Sequence, residues 1–126
     1  MKDGLMTGKY FADTYALFEI TRGNPAYKQY AQADLIICPL NLAEFYYHLL
    51  REKPEHAEEY YALYAGSAVG VSLSCIRGAM LFRFAHKQED LSYIDCIGYA
   101  LAQELGLKFL TGDKKFKDKK NVEYAA

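Results

Sequence analysis

Cysteine is scarce in this chain, with three residues in 126, at positions 38, 75 and 96. An odd, widely spaced set excludes a disulfide framework and a cysteine-rich zinc site, and it implies a reducing interior. Cys38 closes the apolar run Leu35-Ile36-Ile37 and reads as a buried strand thiol. Cys96 adjoins Asp95, with nothing nearby to activate its sulfur, so burial accounts for it as well. Long apolar stretches are also missing. Nothing approaches transmembrane length, and Met1–Tyr10 lacks the apolar core of a secretory signal. The expected location is the cytoplasm, away from membranes. Repeats, low-complexity tracts and linkers do not occur, nor do a Gly-rich phosphate loop, a nucleophile elbow or a His-x-x-x-His zinc pair. What remains is 126 residues, 52% of them hydrophobic, which suffices for one domain (1–126) with a sizeable core.

The formal net charge of −1 says little, but its distribution is uneven. Six lysines against two aspartates lie between Lys108 and Lys120, and four acids lie in Glu52–Glu59. A basic stretch of this kind suits steering of a polyanion. It is read equally well as a solvated, frayed C-terminal segment.

Strands and helices alternate along the chain. Gly8–Ala12 reads as a strand running into Asp13-Thr14, where a helix starts and continues to Gly23. Asn24-Pro25 has the cap and first-turn residues of another helix. Leu35–Cys38 reads as a buried strand, followed by a helix from Asn41 to about Glu52 and another opened by Pro54. The segment 65–71, with two glycines, reads as a short strand. Ser72 or Ser74 caps a helix to about Lys87, and Ser92 opens one whose stripe is Ile94, Ile97, Leu101 and Leu105, ended by Gly106. Leu107–Leu110 is the next strand, Gly112-Asp113 a turn, and Val122–Tyr124 an edge strand. This order predicts an α/β fold with a parallel sheet covered on both faces.

Four carboxylates stand out. Asp13 and Asp113 follow apolar strands, while Glu44 and Asp95 open apolar helices, so all four belong at one rim of a parallel sheet, where strand carboxyl ends line a crevice. Taken singly, each has an ordinary explanation. Asn41-x-x-Glu44 and Ser92-x-x-Asp95 are capping boxes, Asp13 is an N-cap and Asp113 a turn residue. Taken together, they would repel one another unless a hard cation such as Mg²⁺ sat among them. His48, a turn below Glu44, reads as a solvent-facing side chain, and Gly98, a turn beyond Asp95, leaves room for backbone or substrate. Tyr46, Tyr47, Tyr60, Tyr61 and Tyr64 concentrate on two adjacent helices, as either interhelical packing or an interaction surface.

These segments resemble a PIN-domain nuclease, particularly the small single-domain VapC type. The likeness spans nearly the whole chain. It is carried by Asp13-Thr14, by Ser92-Tyr93-Ile94-Asp95, by Phe109–Phe116 and by Glu44, and is least specific from Glu55 to Lys87. The resemblance implies a three-layer α/β/α sandwich. It also implies a Mg²⁺- or Mn²⁺-dependent endoribonuclease in which Asp13, Glu44 and Asp95 are the main acids and Asp113 completes the pocket. Thr14 and Thr111 would support the acids or orient substrate. Lys114, Lys115, Lys117 and Arg83 are candidate contacts to the RNA backbone. A homodimer and an antitoxin protein that covers the cleft are the implied partners.

Two other classes are compatible with clustered acids. A Mg-binding receiver-like signalling module needs paired acids after its first strand, where this chain has Asp13 alone, and an Asp-x-Asp phosphatase fails because position 15 is Tyr. A catalytically inactive RNA- or protein-binding scaffold would keep the acids only as caps.

Overall fold

The computed structural model describes residues 9–126. Four strands, β1 (Lys9–Ala12), β2 (Asp34–Ile36), β3 (Lys108–Thr111) and β4 (Val122–Tyr124), form one parallel sheet in the order β2-β1-β3-β4. Gly8, expected in the first strand, lies outside the described residues. Five helices connect them: α1 (Thr14–Thr21), α2 (Pro39–Glu52), α3 (Ala57–Ala65), α4 (Leu73–Ala85) and α5 (Tyr93–Glu104).

The period of two along each strand sorts side chains into separate cores on the two faces. Ala12, Leu35 and Leu110 point to the side of α1, α2 and α3, where Leu17, Phe45 and Leu49 are buried. Phe11 and Phe109, aligned in register and stacked 6.1 Å apart, point to the side of α4 and α5. The result is the three-layer α/β/α sandwich. Gly98 permits a close layer contact, since a Cβ there would stand 2.8 Å from Phe11 Cε1 and 3.3 Å from Phe109 Cε1. The room this glycine leaves is taken by the sheet rather than by substrate.

Several expectations are corrected. Asn24 does cap, its Oδ1 accepting from Ala26 N at 2.9 Å, but Pro25–Tyr27 and Tyr30–Gln32 are only single 3₁₀ turns rather than a helix. Tyr27 and Tyr30 both have to reach the core, and the chain must be extended again at Asp34 to pair with Lys9. Residues 65–71 form no strand; one parallel bridge, Ile37 to Ala68, is all that joins them to the sheet. Strand β2 stops at Ile36, and α2 starts two residues before Asn41, with Pro39 at its first position and Cys38 as the residue before it. On α5, Ile97 and Leu101 are buried as expected, but Ile94 is half-buried and Leu105 exposed. This helix is packed between the sheet and α4, so Cys96, Tyr99 and Ala102 widen its buried face. Helices α1 and α5 stop at Gly23 and Gly106 as expected.

Candidate metal centre

Each acid is placed by backbone. Asp13 directly follows β1, and its N–H donates to Leu110 O on β3 at 3.1 Å, so sheet register fixes its position. Its Oδ1 accepts from Ala16 N at 2.8 Å, capping α1. The carboxylate is almost fully buried, 3% exposed. Burial pushes its pKa up to about 8, with the negative charges of Asp95 and Asp113 adding to the rise and the Thr111 hydroxyl and the Ala16 N–H opposing it. No cation compensates this buried acid among the described residues, an arrangement that is costly for an ionised carboxylate standing alone.

Asp95 sits in the first turn of α5. Ser92 accepts its N–H at 3.0 Å, so the predicted cap forms. Burial raises the Asp95 pKa to about 6; Ser92 opposes the rise, Glu44 and Asp113 reinforce it, and Lys115 works against it. Asp113 follows β3 and accepts from Lys115 N at 3.0 Å, capping one 3₁₀ turn. The Asp113 N–H in turn donates to Thr111 Oγ1 at 3.0 Å. Thr111 is fully buried between Asp13 and Asp113, where one hydroxyl can accept from the latter's N–H and still offer its single hydrogen to the former.

Glu44 is the exception to capping. Because α2 starts at Pro39, Glu44 falls in its second turn, and its Oε1 accepts from Thr14 Oγ1 at 2.7 Å. Asn41 is likewise not an N-cap. It is buried inside the first turn of α2, where its Oδ1 accepts from Cys38 N and its Nδ2 donates to Ala12 O, both at 2.8 Å. Asn41 thus caps α2 from its third position rather than from the residue before the helix, and its other amide atom fastens α2 to the end of β1 beside Asp13.

All four acids line one open cleft of about 320 Å³. Capping and convergence therefore coexist, because the helix N-termini that need caps open at the same rim. The donors are all oxygens, the chemistry that a hard divalent cation would take. Among the described residues no three of these acidic groups are drawn to a single point. Mg²⁺ suits such a site, since it usually takes one or two carboxylates and keeps waters for the rest of its shell.

The cleft holds more than sequence reading assigned to it. Tyr15 and Phe18 line it, as do Arg22, His48, Glu52 and Ser92. Arg22 donates to Glu19 at 3.1 Å and to Glu52 at 3.0 Å, tying the end of α1 to the end of α2. His48 is half-buried rather than solvent-facing, its ring edge-on to Phe18 at 4.7 Å. The i, i+3, i+7 spacing of Tyr15, Phe18 and Arg22 was the available signal, but no spacing shows which face of α1 meets α2.

None of the four basic candidates lines this cleft. Arg83 Nε donates to Leu91 O at 2.7 Å and Lys115 Nζ to Asp90 O at 3.0 Å, so both hold the loop that precedes Ser92. Lys117 lies over the Tyr124 ring at 5.4 Å, and Lys114 is exposed. Cys38, Cys75 and Cys96 are free and buried, with the Cys96 thiol pushed up to about 11 by burial.

Residues 10–122 match the PIN domain family. The chain belongs to it. Solved structures with the same PIN fold include Mycobacterium tuberculosis VapC20, described as a sarcin-ricin loop cleaving toxin, with a TM-score of 0.76 and 18% identity over 94% of this chain and 100% of that one. A Klebsiella pneumoniae toxin–antitoxin complex gives 0.72 and 18%, covering 90% of this PIN domain chain and 95% of that one. Rickettsia felis VapBC2, solved on a DNA fragment from its promoter, gives 0.70 and 18%, covering 94% and 100%. At these identities the likeness is one of PIN fold. No curated protein matches the sequence.

Proposed function

We propose that this PIN domain is a divalent-metal-dependent endoribonuclease that hydrolyses RNA phosphodiester bonds, and that it is the toxin of a toxin–antitoxin pair. The observation that carries this reading is the convergence of Asp13, Glu44, Asp95 and Asp113 on one cleft, with Asp13 the most buried of them and without a compensating side-chain cation among the described residues. These four residues would hold Mg²⁺ or Mn²⁺. Bound there, the ion supplies Lewis-acid chemistry to hydrolysis by water.

The chain's own residues do the rest. Thr14 holds Glu44 at the rim, Thr111 links Asp13 to Asp113, and Ser92 fixes the first turn of α5 that carries Asp95. Arg83 and Lys115 hold the loop before that turn, which leaves Lys114 and Lys117 as the basic side chains for the RNA backbone. The exposed Tyr47 and Tyr61 on α2 and α3 are the surface for a second copy or for an antitoxin. The toxin–antitoxin complexes of similar fold support that partner. Free buried thiols suit the cytoplasm, and among the described residues no helix is long and apolar enough to cross a membrane.

The test is cleavage of end-labelled RNAs in Mg²⁺, Mn²⁺ or EDTA by the wild type and by Asp95→Asn. Metal-dependent cutting that the variant loses is the expected result. Cutting that persists in both EDTA and the variant would overturn the assignment.

A further inference from the structure

Tyr15 is an anomaly at this site. It directly follows the Asp13-Thr14 pair at the start of α1, lines the acidic cleft, and leaves 43% of its surface exposed. Its neighbours Thr14 and Ala16 are buried, so an exposed aromatic here is not required by the core. The ring is also held in place. Its Cε1 edge lies against Gly112, where an added Cβ would collide with it and would stand 2.7 Å from both Ala125 O and the Tyr27 hydroxyl. Tyr27 is itself fixed, its hydroxyl donating to Ala125 O at 2.6 Å. Gly112 adjoins Asp113, so the ring sits beside the backbone of two cleft carboxylates, Asp13 and Asp113. The cleft thus presents, in Tyr15, an anchored and exposed aromatic ring at the residue after Asp13-Thr14.

Building on the ribonuclease reading, we propose that Tyr15 is a stacking platform for the base of the nucleotide next to the scissile phosphate, a substrate-binding residue of this chain in addition to its four acids. Every base has a π-face, so such a platform tolerates sequence but demands a base free of its neighbours. In an A-form duplex the bases are stacked on one another and none is available. Tyr15 is here a binding and specificity residue, not a proton donor or a metal ligand.

The experiment uses the full chain, wild type and the variants Tyr15→Phe and Tyr15→Ala. Its RNA carries 2-aminopurine beside the cleavage point, and Ca²⁺ replaces Mg²⁺ to hold the RNA uncut. Stacking is read as quenching of 2-aminopurine fluorescence on binding, and cutting is followed separately in Mg²⁺ on the same RNA single-stranded and as a duplex. The expected result is quenching by wild type and Tyr15→Phe, its loss in Tyr15→Ala with binding weakened ~10-fold, and cutting of the single strand in preference to the duplex. Cleavage by the wild type with equal quenching and affinity in Tyr15→Ala would overturn the platform and leave the nuclease standing. An unchanged near-UV circular dichroism spectrum from the core tyrosines identifies Tyr15→Ala as folded, and Tyr15→Phe repeats the test with the ring kept. Failure of the wild type both to bind and to cut RNA would overturn the two readings together.

Discussion

Thr14 and Glu44, thirty residues apart, meet through a 2.7 Å hydrogen bond in which the threonine hydroxyl donates to the carboxylate. This bond joins the first residue of α1 to the second turn of α2, and it holds Glu44 on the side of the cleft where the other acids lie. Hydrogen bonds to charged groups are worth about 1.5–3 kcal/mol. Thr14→Val keeps the shape and removes the donor, and it is expected to lower hydrolysis by roughly tenfold or more through a misplaced Glu44. Thr14→Ser restores the donor and should restore most of the rate. Equal rates in valine and serine variants would show that Glu44 needs no such support.

The burial of Asp13 makes metal-free stability depend on pH with a definite sign. Its folded pKa is raised to about 8, so between the ordinary carboxylate range near pH ~4 and pH ~8 the native state keeps a proton that the unfolded chain has released. Stability from this group is greatest at low pH and falls as pH rises through that window. In EDTA, the melting temperature should therefore be higher at pH 6 than at pH 8, by several degrees for a domain of this size. Asp13→Asn should flatten the difference and melt higher than wild type at pH 8. A wild-type profile identical to that of the asparagine variant would refute the assignment.

Divalent cations should act in the opposite direction. Ligand carboxylates bind only when deprotonated, so stabilisation by Mn²⁺ should grow between pH 6 and pH 8. It should reach ~2.7 kcal/mol at a free ion concentration a hundred times the dissociation constant. Calorimetry of wild type and Asp13→Asn with and without Mn²⁺ measures this directly, and an equal Mn²⁺ response in both would place the ion elsewhere.

Asn41 should matter for folding as much as any core apolar residue. Both ends of its amide are used, by Cys38 N and Ala12 O, and it is 2% exposed. Asn41→Ala leaves a buried backbone N–H and a buried C=O without partners, at about 2–4 kcal/mol for the pair. Urea unfolding is expected to show a loss of that size in the unfolding free energy, read as a lower midpoint. Asn41→Asp keeps the acceptor for Cys38 N but sets a buried carboxylate oxygen against Ala12 O, so at pH 8 it should be destabilised at least as much as the alanine variant.

Gly98 lies where α5 packs directly on the Phe11 and Phe109 rings of the sheet. Gly98→Ala raises helix propensity by about 1 kcal/mol, but its Cβ would stand 2.8 Å from the Phe11 ring. The clash is expected to win, with a net loss of about 1–2 kcal/mol in urea unfolding. A stabilised alanine variant would mean that the Phe11–Phe109 pair yields without cost.

The sequence by itself determined the strand–helix alternation, the parallel sheet, and the placement of Asp13 and Asp113 behind their strands. Those features depend on local periodicity and turn chemistry, which short segments carry in full. It also determined the caps at Asp13 and Ser92, where a side chain reaches only its own first turn. It misplaced the start of α2, because Asn41 looks like a cap in isolation and becomes a tie to β1 only when Ala12 O arrives beside it. It opened a helix at Asn24-Pro25, where burial of Tyr27 and Tyr30 and the pairing of Asp34 with Lys9 override local preference. It did not reach the Arg22–Glu52 tie, the inward turn of His48, the occupation of Arg83 and Lys115 by the loop at 90–91, or the anchoring of Tyr15 on Gly112. Each of these joins segments distant in the chain, and a local pattern says which residues are polar or aromatic without saying which of them will face each other. Only the packed layers decide that, because they alone bring the helix N-termini, and the acids they carry, to one rim.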